Sequence, residues 1–208
     1  MGVRPMTEAR VDSDAFNAFE SAGWEKQAAG YEDFFGQITT RLVEPLLDAA
    51  EIGRGTQVLD VATGPGYVAA KAAERGAAPI GLDNAGAMLS IARRRHPQVE
   101  FCRGNVEALP FSDHSFDAVV GNFILLHLGR PEQAAAEFVR VLAPGGRLAL
   151  TVWDVPERAR LPECSSTRSR RRERPRPARS LSGHRSSGSR RSGNSIAFSA
   201  TKGSKESR

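Results

Sequence analysis

Short apolar runs alternate with helix-period stretches through the middle of the chain. Gln57–Val61, Pro79–Asp83, Val99–Arg103, Phe116–Asn122 and Arg147–Trp153 are brief and rich in Val, Leu, Ile and Phe, with Gly, Pro or Asp close by, and they predict strands. Tyr67–Arg75, Ala85–Arg95 and Pro131–Leu142 predict helices; Pro131 suits a first helical turn, and Ala143-Pro144-Gly145-Gly146 stops the last helix sharply. Earlier, Phe16, Phe19, Trp24, Tyr31, Phe34, Phe35, Ile38, Leu42, Leu46 and Leu47 recur at helical spacing. One or two helices are expected there, broken near Gly30 and bent at Pro45. Strands that alternate with helices need crossover connections, so the pattern predicts an α/β fold: a doubly wound, mostly parallel sheet with helices on both faces.

Past Leu161 the pattern stops. Pro162–Arg208 has no usable period, is dominated by Arg and Ser, and keeps one small apolar cluster, Ile196-Ala197-Phe198. Such a segment buries too little surface to offset its chain entropy, and disorder is expected. The chain therefore divides into a helical segment (1–50), an α/β core (51–156) and a basic tail (157–208), with residues 1–14 polar and loose.

Charge follows the same division. The net +5 of the 208 residues combines 14 Lys+Arg and 20 Asp+Glu in residues 1–156 with 15 and 4 in 157–208. The core is mildly acidic, so the overall basicity is no sign of a nucleic-acid protein. Cys102 and Cys164 lie far apart and outside any metal-type spacing, which argues against a disulfide framework, a zinc site or a redox pair, and for a reducing compartment. No apolar run approaches membrane-spanning length and residues 1–10 carry no leader-type apolar stretch, so a soluble cytoplasmic protein is expected.

The candidate chemistry sits at strand ends. Val58-Leu59-Asp60-Val61-Ala62-Thr63-Gly64-Pro65-Gly66 runs a buried strand into a glycine-rich turn and then a helix start, which together cradle a small molecule. Asp60 closes the first strand and Asp83 the second. A carboxylate after the second strand suits two ribose hydroxyl donors. This much also fits a nicotinamide-nucleotide domain. The turn, however, is Asp-x-Ala-x-Gly-x-Gly and lacks the Gly-x-Gly-x-x-Gly spacing that seats a pyrophosphate. Gly104-Asn105-Val106-Glu107-Ala108-Leu109-Pro110-Phe111 follows the third strand, and Pro144-Gly145-Gly146 precedes the fifth. His127, in an apolar stretch after the fourth strand, reads as a structural histidine ahead of a general base.

From Val58 to Asp154 these motifs, in this order and spacing, resemble the class I S-adenosylmethionine-dependent methyltransferases, in the branch with the ubiquinone- and menaquinone-biosynthesis enzymes. The resemblance implies a Rossmann-like fold and S-adenosylmethionine as cofactor. It implies that Ala62, Gly64 and Gly66 line the methionine moiety beside Asp60, and that Asp83 holds the ribose hydroxyls. Asn84 and Met88 would then flank the adenine. Asn105 would meet the adenine edge by side chain and Val106 by backbone N–H, Asn122 would lie near the methionine end, and Tyr31 would help close the pocket. Ala62 departs from the glycine, and Asn105 from the aspartate, that many members carry there.

The resemblance further implies seven strands, the last two absent here, which leaves the fifth as an open apolar edge. A tail translated out of frame from about Arg160 accounts for the abrupt change in composition; a native polyanion-binding tail competes, though without aromatic interleaving for specific nucleic-acid recognition. The expected function is in-line methyl transfer to a small-molecule acceptor, with no metal. The alternatives are a non-catalytic remnant of such an enzyme and a nicotinamide-nucleotide-binding domain.

Overall fold

The structure is a computed structural model that describes residues 12–31 and 35–153, together with the backbone of 195–201. In chain order it contains α1 (Ser13–Gln27), α2 (Gln37–Thr39), α3 (Val43–Ala49), β1 (Gln57–Val61), α4 (Tyr67–Glu74), β2 (Ala78–Asp83), α5 (Gly86–Arg95), β3 (Glu100–Arg103), β4 (Phe116–Asn122), α6 (Pro131–Val141), β5 (Leu142–Trp153) and β6 (Ser195–Thr201). The sheet order is β3-β2-β1-β4-β5-β6, and β1 to β5 pair in parallel throughout. Successive strands run outward from β1 through β2 to β3, and the chain then returns to the other side of β1. That reversal opens a crevice at the carboxyl ends of β1 and β4, where open α/β sheets take their ligands.

The sheet is buried on both sides, and period-two alternation decides which side each residue serves. Leu59 and Val61 of β1 and Val119 of β4 join Phe138 and Val141 of α6 on one face. Val58, Ala118 and Val120 join Leu46 and Leu47 of α3 and Val68 and Ala72 of α4 on the other. A smaller cluster of Ala69, Leu89, Ala92, Val99 and Phe101 seats α5 against α4 and β3. The predicted strands at 57–61 and 116–122 match β1 and β4 to the residue.

Three readings change. Helix α1 begins at Ser13 because the Asp12 carboxylate caps it, accepting from the N–H groups of Asp14 and Ala15 at 3.0 and 3.1 Å. After it, the N-terminal segment breaks into short α and 3-10 turns rather than one or two long helices. Strand β5 starts at Leu142, five residues ahead of expectation. Phe116 pairs with Leu142 and Ala118 with Arg147, so Ala143–Gly146 is a bulge within the strand.

The third concerns the tail, expected to carry no strand. Ser195–Thr201, which holds the Ile196-Ala197-Phe198 cluster, lies beside β5 as β6. The physical reason is the β5 edge itself, whose unpaired N–H and C=O groups an extended segment satisfies. The remaining tail and residues 1–11, with the expectations of looseness and disorder placed on them, lie outside the described residues, as do Phe34 and Cys164. Residues 1–152 and 195–208 form one compact unit, so the N-terminal helices belong with the sheet.

Candidate functional site

The turn after β1 is the foundation of the site. Ala62, Gly64 and Gly66 all take left-handed backbone conformations, with φ of 54°, 54° and 86°. For alanine this conformation carries strain of roughly 1–2 kcal/mol. Gly66 is required by packing as well, since a Cβ there would stand 2.8 Å from the Phe101 ring. Gly64 differs: a Cβ on it would meet nothing within 4 Å, so the turn presents bare backbone to open space.

Asp60 lies beneath this turn and is 1% exposed. Its Oδ2 accepts from the Thr63 hydroxyl at 2.5 Å and from the Ala69 N–H at 3.1 Å, which ties β1 to both the turn and α4. Its Oδ1 is buried with no hydrogen-bond partner among the described residues. Burial pushes the carboxyl up to about 7; the Thr63 and Ala69 donors pull it down and the nearby Asp83 charge adds to the rise.

Asp83 closes β2 and reaches across to the same turn. Oδ2 accepts from the Gly64 N–H at 2.8 Å and Oδ1 from the Ala85 N–H at 2.9 Å. Its pKa is also raised, by burial first, against the Ala85, Gly64 and Asn84 N–H groups. Each oxygen keeps a second lone pair for a further donor. Asn84 uses its carbonyl to accept from Arg103 Nε at 3.0 Å. Met88 packs with Ala28 and Ala85 under Trp24 and Tyr31. Tyr31 lies near both carboxylates, which raise its pKa after burial does, and its hydroxyl is 3.4 Å from Thr39 Oγ1.

The other two expected loops carry turn and packing duties. Asn105 Oδ1 accepts the Glu107 N–H at 2.9 Å, a local turn bond, and the rest of this side chain is exposed. Val106 turns its side chain into the core, which leaves its backbone for a ligand. Asn122 is engaged at both ends: Nδ2 donates to the Thr39 carbonyl at 3.1 Å and Oδ1 accepts from the Thr151 hydroxyl at 2.6 Å. The structure thus gathers Tyr31, Asp60, Ala62, Gly64, Asp83, Asn84 and Met88 around the β1–β2 side. Asn105 and Asn122 stand on the flanking loops.

Sequence reasoning missed the polar groups that lock α1 over these loops. Glu25 accepts from the Gly86 and Ala87 N–H groups at 2.5 and 2.9 Å and so caps α5 from another helix. Glu107, 2% exposed, accepts from Asn17 Nδ2 at 2.8 Å, the Arg130 N–H at 2.8 Å and the Arg130 guanidinium at 3.2 Å. Glu20 Oε2 meets His127 Nδ1 at 2.7 Å. Their partners lie 61 to 107 positions away, and no local spacing marks such pairs.

Residues 59–150 match the family described as "Methyltransferase domain". The core of this chain is a class I methyltransferase domain. A demethylmenaquinone methyltransferase of Renibacterium salmoninarum is 39% identical over 118 residues, covering 57% of this chain and 50% of that protein. One of Beutenbergia cavernae is 36% identical over 156 residues, covering 73% and 64%. The solved S-adenosylmethionine-dependent methyltransferase from Thermotoga maritima superposes with a TM-score of 0.52 at 26% identity, covering 63% of this chain and 60% of that one. The chain spans about half the length of the first of these relatives.

The methyltransferase core fits the cofactor this fold family implies. The orphaned Asp60 Oδ1 offers a buried acceptor to an ammonium donor, Asp83 retains acceptor capacity for vicinal hydroxyls, and the open face of Gly64 leaves room between them. Among the described residues no group of acidic, His or Cys side chains could hold a metal ion, and no helix is long and apolar enough to cross a membrane.

Proposed function

We propose that this protein transfers a methyl group from S-adenosylmethionine to a small-molecule acceptor, and that the acceptor is a quinol-type aromatic ring. The observation that carries the reading is the buried, unpartnered Asp60 Oδ1 beneath the open face of Gly64, inside the stretch that matches the methyltransferase family. The acceptor class rests on the relatives named as demethylmenaquinone methyltransferases.

S-adenosylmethionine supplies a methyl group already activated on a sulfonium. What the chain must add is alignment and exclusion of water. Asp60 receives the ammonium end of the cofactor and Asp83 its ribose hydroxyls. Asn84, Met88 and the Asn105–Val106 turn flank the adenine, while Ala62, Gly64 and Gly66 keep the backbone low enough for the methionine chain. Tyr31, with Trp24 and Phe35 around it, covers the mouth; the three rings pair with centroids 5.8 to 6.0 Å apart. The mildly acidic core and sparse cysteines support a cytoplasmic protein without specific nucleic-acid binding.

Titration calorimetry and thermal unfolding test the cofactor directly. S-adenosylmethionine and S-adenosylhomocysteine should bind, and the latter at a hundredfold excess over its Kd should add about 2.7 kcal/mol of apparent stability, whereas NAD should add none. A response to NAD alone would replace this reading with a nicotinamide-nucleotide domain. Transfer of labelled methyl to a reduced naphthoquinol tests the acceptor.

A further inference from the structure

The geometry points to His127 as the base that takes the acceptor's hydroxyl proton, with Glu20 as its positioning residue. The inference rests on the methyl-transfer reading above. His127 ends the 3-10 turn Leu125–His127, which follows β4 at the ligand-binding edge of the sheet. Its Nδ1 is held by Glu20 Oε2 at 2.7 Å. The Trp24 ring stands edge-on against the imidazole, with centroids 5.2 Å apart and planes at 84°. Two anchors therefore set the ring's position and rotation, and the Glu20 bond assigns the proton of the neutral ring to Nδ1. Nε2 is left as the acceptor, and among the described residues it makes no hydrogen bond. The side chain is 35% exposed, while Glu20 is 19% exposed.

Docking of α1 does not require this pair. Asn17, Glu25 and Asp14 already fasten the helix to Glu107, to α5 and to Arg130. Trp24 joins His127 to the cofactor side of the crevice, because the same indole also packs against Tyr31, which lies near Asp83. A carboxylate-oriented imidazole with an unengaged Nε2 is the arrangement that accepts a proton and stabilises the resulting cation.

The step balances as follows. The acceptor O–H bond breaks, its proton goes to Nε2 and its electron pair stays on the acceptor. The electron-rich acceptor atom forms a bond to the methyl carbon as the carbon–sulfur bond breaks, its electrons going to the formerly cationic sulfur. For a ring carbon, the proton on that carbon then leaves and the hydroxyl regains one. The net products are methylated acceptor, S-adenosylhomocysteine and one proton, passed from the imidazolium to water.

The test uses the full chain, labelled S-adenosylmethionine and a dihydroxynaphthalene kept reduced with dithionite. Wild type should transfer methyl. His127→Gln should lower kcat about 100-fold, with the thermal shift from S-adenosylhomocysteine unchanged. Glu20→Gln should lower kcat about tenfold with KM for the naphthol held. Added imidazole should restore His127→Ala but not Glu20→Gln, a response that a merely structural histidine cannot give. A His127→Gln enzyme within threefold of wild type, a lost cofactor shift in that variant, or no imidazole rescue would overturn the proposal while leaving methyl transfer standing. An inert wild type would overturn the acceptor reading and this inference together.

Discussion

Asp60 is the most sharply poised side chain of the molecule. Its native pKa near 7 stands above the ordinary aspartate value of 3.8, so the folded protein holds this proton longer than the unfolded chain does. Stability from this group is full below about pH 4 and is lost as the pH rises through 7. The size is on the order of 3–4 kcal/mol. Asp83 is raised in the same direction. Asp60→Asn removes the titration, so the stability difference between wild type and variant should move against wild type from pH 5 to pH 7.5. Urea denaturation at the two pH values checks this, and parallel curves would refute the burial argument. Since a bound ammonium favours the charged carboxylate, cofactor binding at pH 6.5 should also release protons, seen as a heat that varies with buffer ionisation enthalpy. Ala62 makes a second prediction. Glycine at this left-handed position relieves the strain and forfeits some unfolded-chain entropy, for a net gain of about 0.5–1 kcal/mol by denaturation.

Helix α1 has no fully buried residue, and what holds it is polar. Glu107 is the centre of that attachment, since it accepts from Asn17 on α1 and from Arg130 at the start of α6. A Cβ at Gly129 would collide with the Ser13 carbonyl, so the two segments meet backbone to backbone. Glu107→Ala leaves the Arg130 N–H and the Asn17 amide without their acceptor. The expected loss is about 3 kcal/mol, together with faster hydrogen exchange through α1 and little change in β1 or β4. These attachments were invisible in the linear chain. Asn17, Glu20 and Glu25 read there as the solvated side of an amphipathic helix, and only the positions of residues 61 to 107 places further on give them work. By contrast the strands at 57–61 and 116–122 were legible, because a run buried on both faces must be apolar throughout.

Across the whole molecule, the β5–β6 edge decides solubility. Strand β6 covers a twelve-residue strand that would otherwise end the sheet with unpaired backbone groups. Removing residues 195–208 should uncover that edge and produce concentration-dependent association in sedimentation runs; a truncated chain that stays monomeric would show the edge protected by other means. The methyltransferase core itself was readable from end to end, since strand-end aspartates and the glycine turn sit close together in sequence and answer to local geometry. Asp60, Gly64 and Asp83 needed only the rule that ligands gather where parallel strands finish. Nothing in the chain's order, however, placed Glu20 against His127, Glu25 on the first turn of α5, or Ile196 beside β5. Hydrophobic period and turn chemistry act over a few residues, and one dimension records them. Polar pairing between distant segments depends on how the elements come to rest against one another, and that arrangement exists only after the chain has folded.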